Sequence, residues 1–255
     1  MARQPRGYVI YQGPSMLDGA PIVCIATMRS VNGKTGDMVQ TWILLAEMDP
    51  LAGNRTGADR SICGDCPSRG EARPGTATGL AKGRSCYVDL ARAPLGIWNA
   101  WRRGRYPTAA GHAAICELGR GRKVRLGAYG DPAAVPGYVT ESLLEGCAGH
   151  TGYSHQIDFK GAGEGFLGSR MMVSADSLEA AQRAWERDLR TFRVVGEVGE
   201  VGEVVRGREV LCPASAEAGK RTTCEHCLLC GGAGVKAKSV AIVAHGAGKK
   251  YHRAA

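Results

Sequence analysis

The chain of 255 residues contains no run of the roughly 18 uninterrupted apolar residues that a membrane-spanning helix needs. Its opening stretch, MARQPRGYVIYQGPS, lacks the apolar core of a secretory signal. A cytoplasmic chain without a membrane partner is therefore expected. The glycines and prolines, 37 and 11, follow no collagen-like period. The only internal repeat, three Gly-Glu-Val triplets from Gly196 to Val204, is too short for a solenoid. Disulfide scaffolding is also not expected, because cytoplasmic cysteines serve metals or catalysis more often than cross-links.

Apolar residues make up 44% and charged residues 22%, ordinary globular usage. The formal net charge is +9, from 33 Lys and Arg against 24 Asp and Glu. A basic surface of this kind suits an anionic partner such as nucleic acid.

Residues 8–12, 21–28 and 38–46 read as strands joined by Gly/Pro/Asn-rich turns, an N-terminal antiparallel element over residues 1–48. Residues 49–85 read as a long loop. Beyond it, helical patterns at 94–104, 108–118, 136–147 and 178–189 alternate with strand patterns at 123–129, 150–156, 170–176, 190–195, 209–212 and 239–245. This alternation implies parallel strands with crossover helices. We expect an α/β fold, βα-barrel-like with a complete or partial barrel, over residues 49–246, with cysteine-rich metal-binding loops and a loose basic tail at 247–255.

In such folds, polar residues at the C-terminal ends of strands line the site. This reading places Asp131, His155, Asp176, Cys212 and His245 at strand ends. Asp131, Asp176 and His155 are the candidate catalytic residues. The competing reading makes Asp131 a turn residue and Asp176 a helix cap ahead of Ser177.

Ten cysteines are present. Cys224, Cys227 and Cys230 have two residues between each neighbouring pair, a spacing that lets thiolates converge on one ion, with His245 or Cys212 as the fourth ligand. Cys63 and Cys66, followed by Cys86, form a second set. Zinc suits both sets. A 4Fe-4S cluster, with or without S-adenosylmethionine, is the alternative. The tight cysteine triad of standard radical enzymes is missing. Cys24, Cys116 and Cys147 lie in apolar or helical contexts and read as buried free thiols.

A basic stretch interleaved with Trp98, Trp101 and Tyr106 carries Arg102, Arg103, Arg105, Arg120, Arg122, Lys123 and Arg125. Guanidinium groups grip phosphates, so these are the candidate nucleic-acid contacts, while the tryptophans, three apart on a helix, read as core.

The segments KTGDMVQTWIL, SICGDCPSRG, SCYVDL, RLGAYGDPAAVP, TGYSHQ, SADS, CPAS, CEHCLLC and AIVAHG resemble an uncharacterised protein family of tailed bacteriophages and prophages, over residues 8–246. Membership would put the chain in the host cell cytoplasm. More distantly, the combination of barrel-like pattern, strand-end aspartates and three cysteines with a histidine is similar to tRNA-guanine transglycosylases. Their DNA-acting relatives insert 7-deazaguanines. That resemblance implies a structural zinc on Cys224, Cys227, Cys230 and His245. It also implies double-stranded DNA and a small 7-deazaguanine base as partners, and a covalent intermediate on Asp131 or Asp176. The Cys63, Cys66 and Cys86 set has no counterpart there. An iron–sulfur enzyme acting on a nucleotide or DNA base, and a non-catalytic zinc-stabilised nucleic-acid-binding protein, are the alternatives.

Overall fold

A computed structural model describes residues 5–73, 75, 78–158, 166–196 and 204–252. The element order is β1 (Gly7–Pro14), β2 (Pro21–Thr27), β3 (Val39–Leu45), α1 (Pro50–Thr56), α2 (Arg60–Cys63), α3 (Ala93–Arg102), α4 (His112–Gly119), β4 (Lys123–Tyr129) and α5 (Gly137–Leu144). There follow β5 (Gly149–Thr151), β6 (Tyr153–Ser154), α6 (Phe166–Arg170), β7 (Met172–Ala175), α7 (Leu178–Trp185), β8 (Thr191–Val195), β9 (Glu209–Leu211), α8 (Cys224–Cys227) and β10 (Ser239–Val243).

The strands form two five-stranded sheets. The first runs β1-β2-β3-β4-β5, antiparallel from β1 to β3 and parallel from β3 to β5. The second runs β6-β7-β8-β10-β9 and is parallel throughout. The antiparallel N-terminal element is thus present, and through β3 it joins the same sheet as β4. The expected barrel is corrected: among the described residues the strands do not close, and β1 and β9 remain as edges. β5 and β6 are three and two residues long, too short to carry one continuous ladder. Gly152 separates them. A Cβ there would press on Leu126 and Met171 at 3.1 Å, so glycine lets the chain pass from one sheet to the other.

β3 is buried along its whole length and β2 along most of it, as expected for strands covered on both faces. Ile22, Ile25, Ile43, Leu44, Leu126 and Leu143 are fully buried and belong to the main core. Helix α7 shows its local cause clearly. Ser177 caps it by accepting the Ala180 N–H at 3.1 Å, and its buried side carries Ala181 and Ala184.

Residues 49–85 hold more structure than expected. Asp49 caps α1 by accepting the N–H groups of Leu51 and Ala52, Pro50 opens the helix, and Gly57 ends it in the left-handed region. The Gly-Glu-Val repeat falls largely on residues 197–203, outside the described residues. The expected loose tail is instead seated up to residue 252: Lys249–Tyr251 forms a 3-10 turn, and Gly248 packs on Arg84 and Ser85. No helix among the described residues is long and apolar enough to cross a membrane.

Candidate functional site

The C-terminal ends of the parallel strands converge on a cavity of about 170 Å³. Asp131 follows β4, His155 follows β6, Asp176 follows β7 and His245 follows β10; all four line it. The loop after β3 adds Cys63, Cys66 and Cys86. Most of the strand-end residues and one whole cysteine set therefore share one chamber.

The end of β4 is shaped by an irregularity in its pairing with β3 between Gln40 and Trp42. Gly127 lies there at φ 62°, with its N–H donated to Thr41 Oγ1. Irregular pairing of this kind re-aims the following residues, here Tyr129 to Asp131.

The two aspartates differ. Asp131 is buried, and both its oxygens are occupied: Oδ1 accepts from Ala133 N at 3.0 Å and Ser154 Oγ at 2.8 Å, and Oδ2 accepts from His155 N at 2.8 Å. Burial raises its pKa, and those three donors oppose the rise. Asp176 has a side chain 43% exposed, and its Oδ1 lies 3.2 Å from His155 Nε2. Ser177 takes the cap of α7, so Asp176 is left free to face the cavity. Burial works against the charged form of His155, but hydrogen bonds to Asp176 and Cys66 outweigh it and hold its pKa well above the ordinary histidine value.

Burial pushes the Cys63 thiol well up, with Cys66, Asp59 and Cys86 adding to the effect. The Cys86 thiol is also raised by burial, partly offset by Arg84. The hydroxyl of Tyr129 and Nε2 of His252 border the same cavity, buried and without a hydrogen-bond partner among the described residues. Sequence reasoning missed Tyr129 as a site residue. No local pattern marks Tyr129, and His252 lies in the segment expected to be loose.

The second cysteine set lines an adjoining cavity of about 230 Å³. Cys212, Cys224, Cys227 and Cys230 all border it. Burial drives the Cys230 thiol up to about 12, and the neighbouring thiols of Cys212, Cys224 and Cys227 add to the rise. Of the two candidates for the fourth position, Cys212 is the one grouped electrostatically with the three thiols. His245 also lines this cavity, but its ring stacks on Tyr87 with centroids 5.2 Å apart, and its Nδ1–H donates to Val243 O at 3.0 Å. Helix α8 is docked on the β2–β3 loop: Cys224 and Glu225 donate their N–H groups to Lys34 O and Thr35 O. Among the described residues, no three His, Cys, Asp or Glu side chains are arranged as a ready-made site for a metal ion. The chemistry of both donor sets, thiols lining one small chamber, nevertheless suits a thiophilic metal.

The candidate nucleic-acid contacts are scattered. Arg102 lies over Trp98 and Trp101, 5.5 and 5.7 Å from their centroids, and donates to Ala46 O. Trp98 donates to Leu45 O, half-buried against the core. Arg103 and Arg105 are exposed. Arg120 pairs with Glu117, Arg122 donates to Met28 O, and Lys123 is half-buried. Arg125 is 8% exposed and donates to Tyr87 Oη at 2.7 Å, its guanidinium 5.9 Å from the Tyr153 centroid. It is an interior cation bordering the four-thiol cavity, with no surface for a phosphate. Cys24 and Cys116 are buried and Cys147 is half-buried, as free thiols.

No protein-family model, curated protein or solved structure matches the chain.

Proposed function

We propose that this chain is an enzyme acting on a nucleobase, with an iron–sulfur cluster held by Cys63, Cys66 and Cys86 at its reaction centre. The observation that carries this reading is the meeting of those three thiols with His155 and Asp176 in one chamber at the C-terminal strand ends. Three thiolates suit a cluster that keeps one iron position for another ligand. The four thiols of Cys212, Cys224, Cys227 and Cys230 line one cavity and equal in number and kind the ligands of a closed structural zinc, which would have to draw them together.

When bound, the cluster supplies one-electron chemistry beside the cavity. The protein's own groups do the rest. Asp131 fixes the backbone of His155, and Asp176 orients its ring. Together His155 and Asp176 hold a proton next to the thiols and pass it to or from a bound base. Tyr129 Oη supplies an uncommitted hydrogen bond at the same wall.

Base exchange in DNA through a covalent aspartyl intermediate is a second reading, favoured by the exposure of the Asp176 carboxylate. In that scheme Asp176 attacks deoxyribose C1′, guanine leaves with the glycosidic electron pair and takes up a proton, and a 7-deazaguanine then displaces the carboxylate through N9, giving up its N9 proton. Asp131 fits the nucleophile's role poorly, because both its oxygens are already engaged.

Anaerobic purification with iron, sulfide and zinc analysis tests the proposal. Iron and sulfide with a broad visible shoulder are expected, lost when Cys63, Cys66 and Cys86 are replaced by alanine, together with zinc lost in Cys224→Ala and Cys227→Ala. A colourless anaerobic protein carrying zinc alone, with a DNA adduct that disappears in Asp176→Ala, would establish base exchange instead.

A further inference from the structure

A second, open cleft of about 750 Å³ lies against the wall of the cysteine cavity. Its lining draws Lys34 from the β2–β3 loop and Lys220 and Arg221 from the segment between β9 and α8. The docking of α8 on the β2–β3 loop brings these distant segments together. Lys220 and Arg221 are exposed, Lys34 is half-buried, and none of the three forms an ion pair among the described residues. Glu217 is the one carboxylate in the lining, so the cleft carries a surplus of positive charge. Thr222 and Thr223 add hydroxyls.

His245 lines the cleft as well as both cysteine-lined cavities. Its stacked partner Tyr87 borders the reaction chamber. A cationic trough thus meets an aromatic wall at one residue. Single strands are bound in this way, with cations along the backbone and rings under the bases.

We infer that this cleft is a phosphate subsite, holding the phosphate of the nucleotide whose base enters the cysteine chamber past Tyr87 and His245. The base half of this assignment rests on the cysteine chamber being the reaction centre. The phosphate half stands on the cleft alone. The phosphate can belong to a strand or to a free nucleotide, and the two are separable by experiment.

The test is fluorescence anisotropy with a labelled single-stranded oligonucleotide, in the full chain and in Lys220→Ala/Arg221→Ala. Both side chains are exposed, so the double variant keeps its fold, and circular dichroism checks this. Lys236→Ala/Lys238→Ala, exposed outside the cleft, is the control. The Lys220/Arg221 variant is expected to bind about tenfold more weakly. Its slope of log affinity against log salt should fall by about 1.4, two single-strand phosphate contacts. The control should bind like the parent chain. Competition by a nucleoside monophosphate at low concentration assigns a free nucleotide. Its failure with the Lys220/Arg221 dependence intact assigns a strand. Unchanged affinity and slope in the double variant, or equal binding of polyglutamate, overturns the subsite.

The two proposals fail separately. A chain without iron whose strand binding still depends on Lys220 and Arg221 loses the cluster and keeps the subsite. A chain with iron whose binding ignores both residues loses only the subsite.

Discussion

Asp131 Oδ2 accepts the backbone N–H of His155 at 2.8 Å, so the end of β4 fixes the end of β6. One strand-end carboxylate therefore holds the main chain of the histidine, while another, Asp176, meets its ring. In sequence the two aspartates are equivalent candidates. In structure one is a buried support and the other is a partly exposed carboxylate that faces the cavity.

Asp131→Ala is expected to cost about 3 kcal/mol or more in urea unfolding, because it strands the buried donors of Ala133, Ser154 and His155. Asp131→Asn should cost less, about 1–3 kcal/mol, since its amide oxygen still accepts while its NH₂ faces a donor. A loss under about 0.5 kcal/mol in both would disprove the supporting role.

Asp176→Asn should behave oppositely. The side chain is 43% exposed and, among the described residues, bonds the His155 ring alone, so stability should stay within about 0.5 kcal/mol of the parent. Turnover, however it is eventually assayed, should fall by at least about 100-fold. A variant that melts early would make Asp176 a structural residue.

Gly119→Ala tests the packing of α4 on α5. A Cβ at this position would overlap the carbonyl oxygen of Leu143. The helices must separate to accept a methyl group, at a cost of about 2–3 kcal/mol, read from the denaturation midpoint. An unchanged midpoint would refute this close approach.

His150 supplies a pH test. Burial lowers its pKa, and its Nε2 faces Arg170 O at 2.8 Å. The folded chain therefore resists protonation that the unfolded chain accepts below about pH 6.5. Stability from this residue is present above that value and is lost as pH falls. His150→Gln should narrow the gap between melting temperatures at about pH 7.5 and about pH 5. A gap as wide as the parent's would remove His150 as a source of acid sensitivity.

Much of this arrangement was legible in the sequence. The strand at 123–129 matches β4, and Asp131, His155 and Asp176 stand at strand ends, where the alternation put them. The exceptions have physical causes. α1 was announced by Asp49, Pro50 and Gly57, which read equally well as loop residues until the cap bonds are seen. Arg125 alternates with apolar residues in β4, and only the second layer of packing shows that it is inside. The cleft of Lys34, Lys220 and Arg221 has no sequence signature, because its parts meet only through the docking of α8.

Gly248 rests on Arg84 and Ser85, and His252 borders the chamber of Cys63, Cys66 and Cys86. During synthesis the ribosome delivers those thiols long before it delivers the residues that wall them in. Until residues 246–252 emerge, the nascent chamber stands open to solvent on that side. A tag fused directly after this segment would sit beside that wall of the chamber.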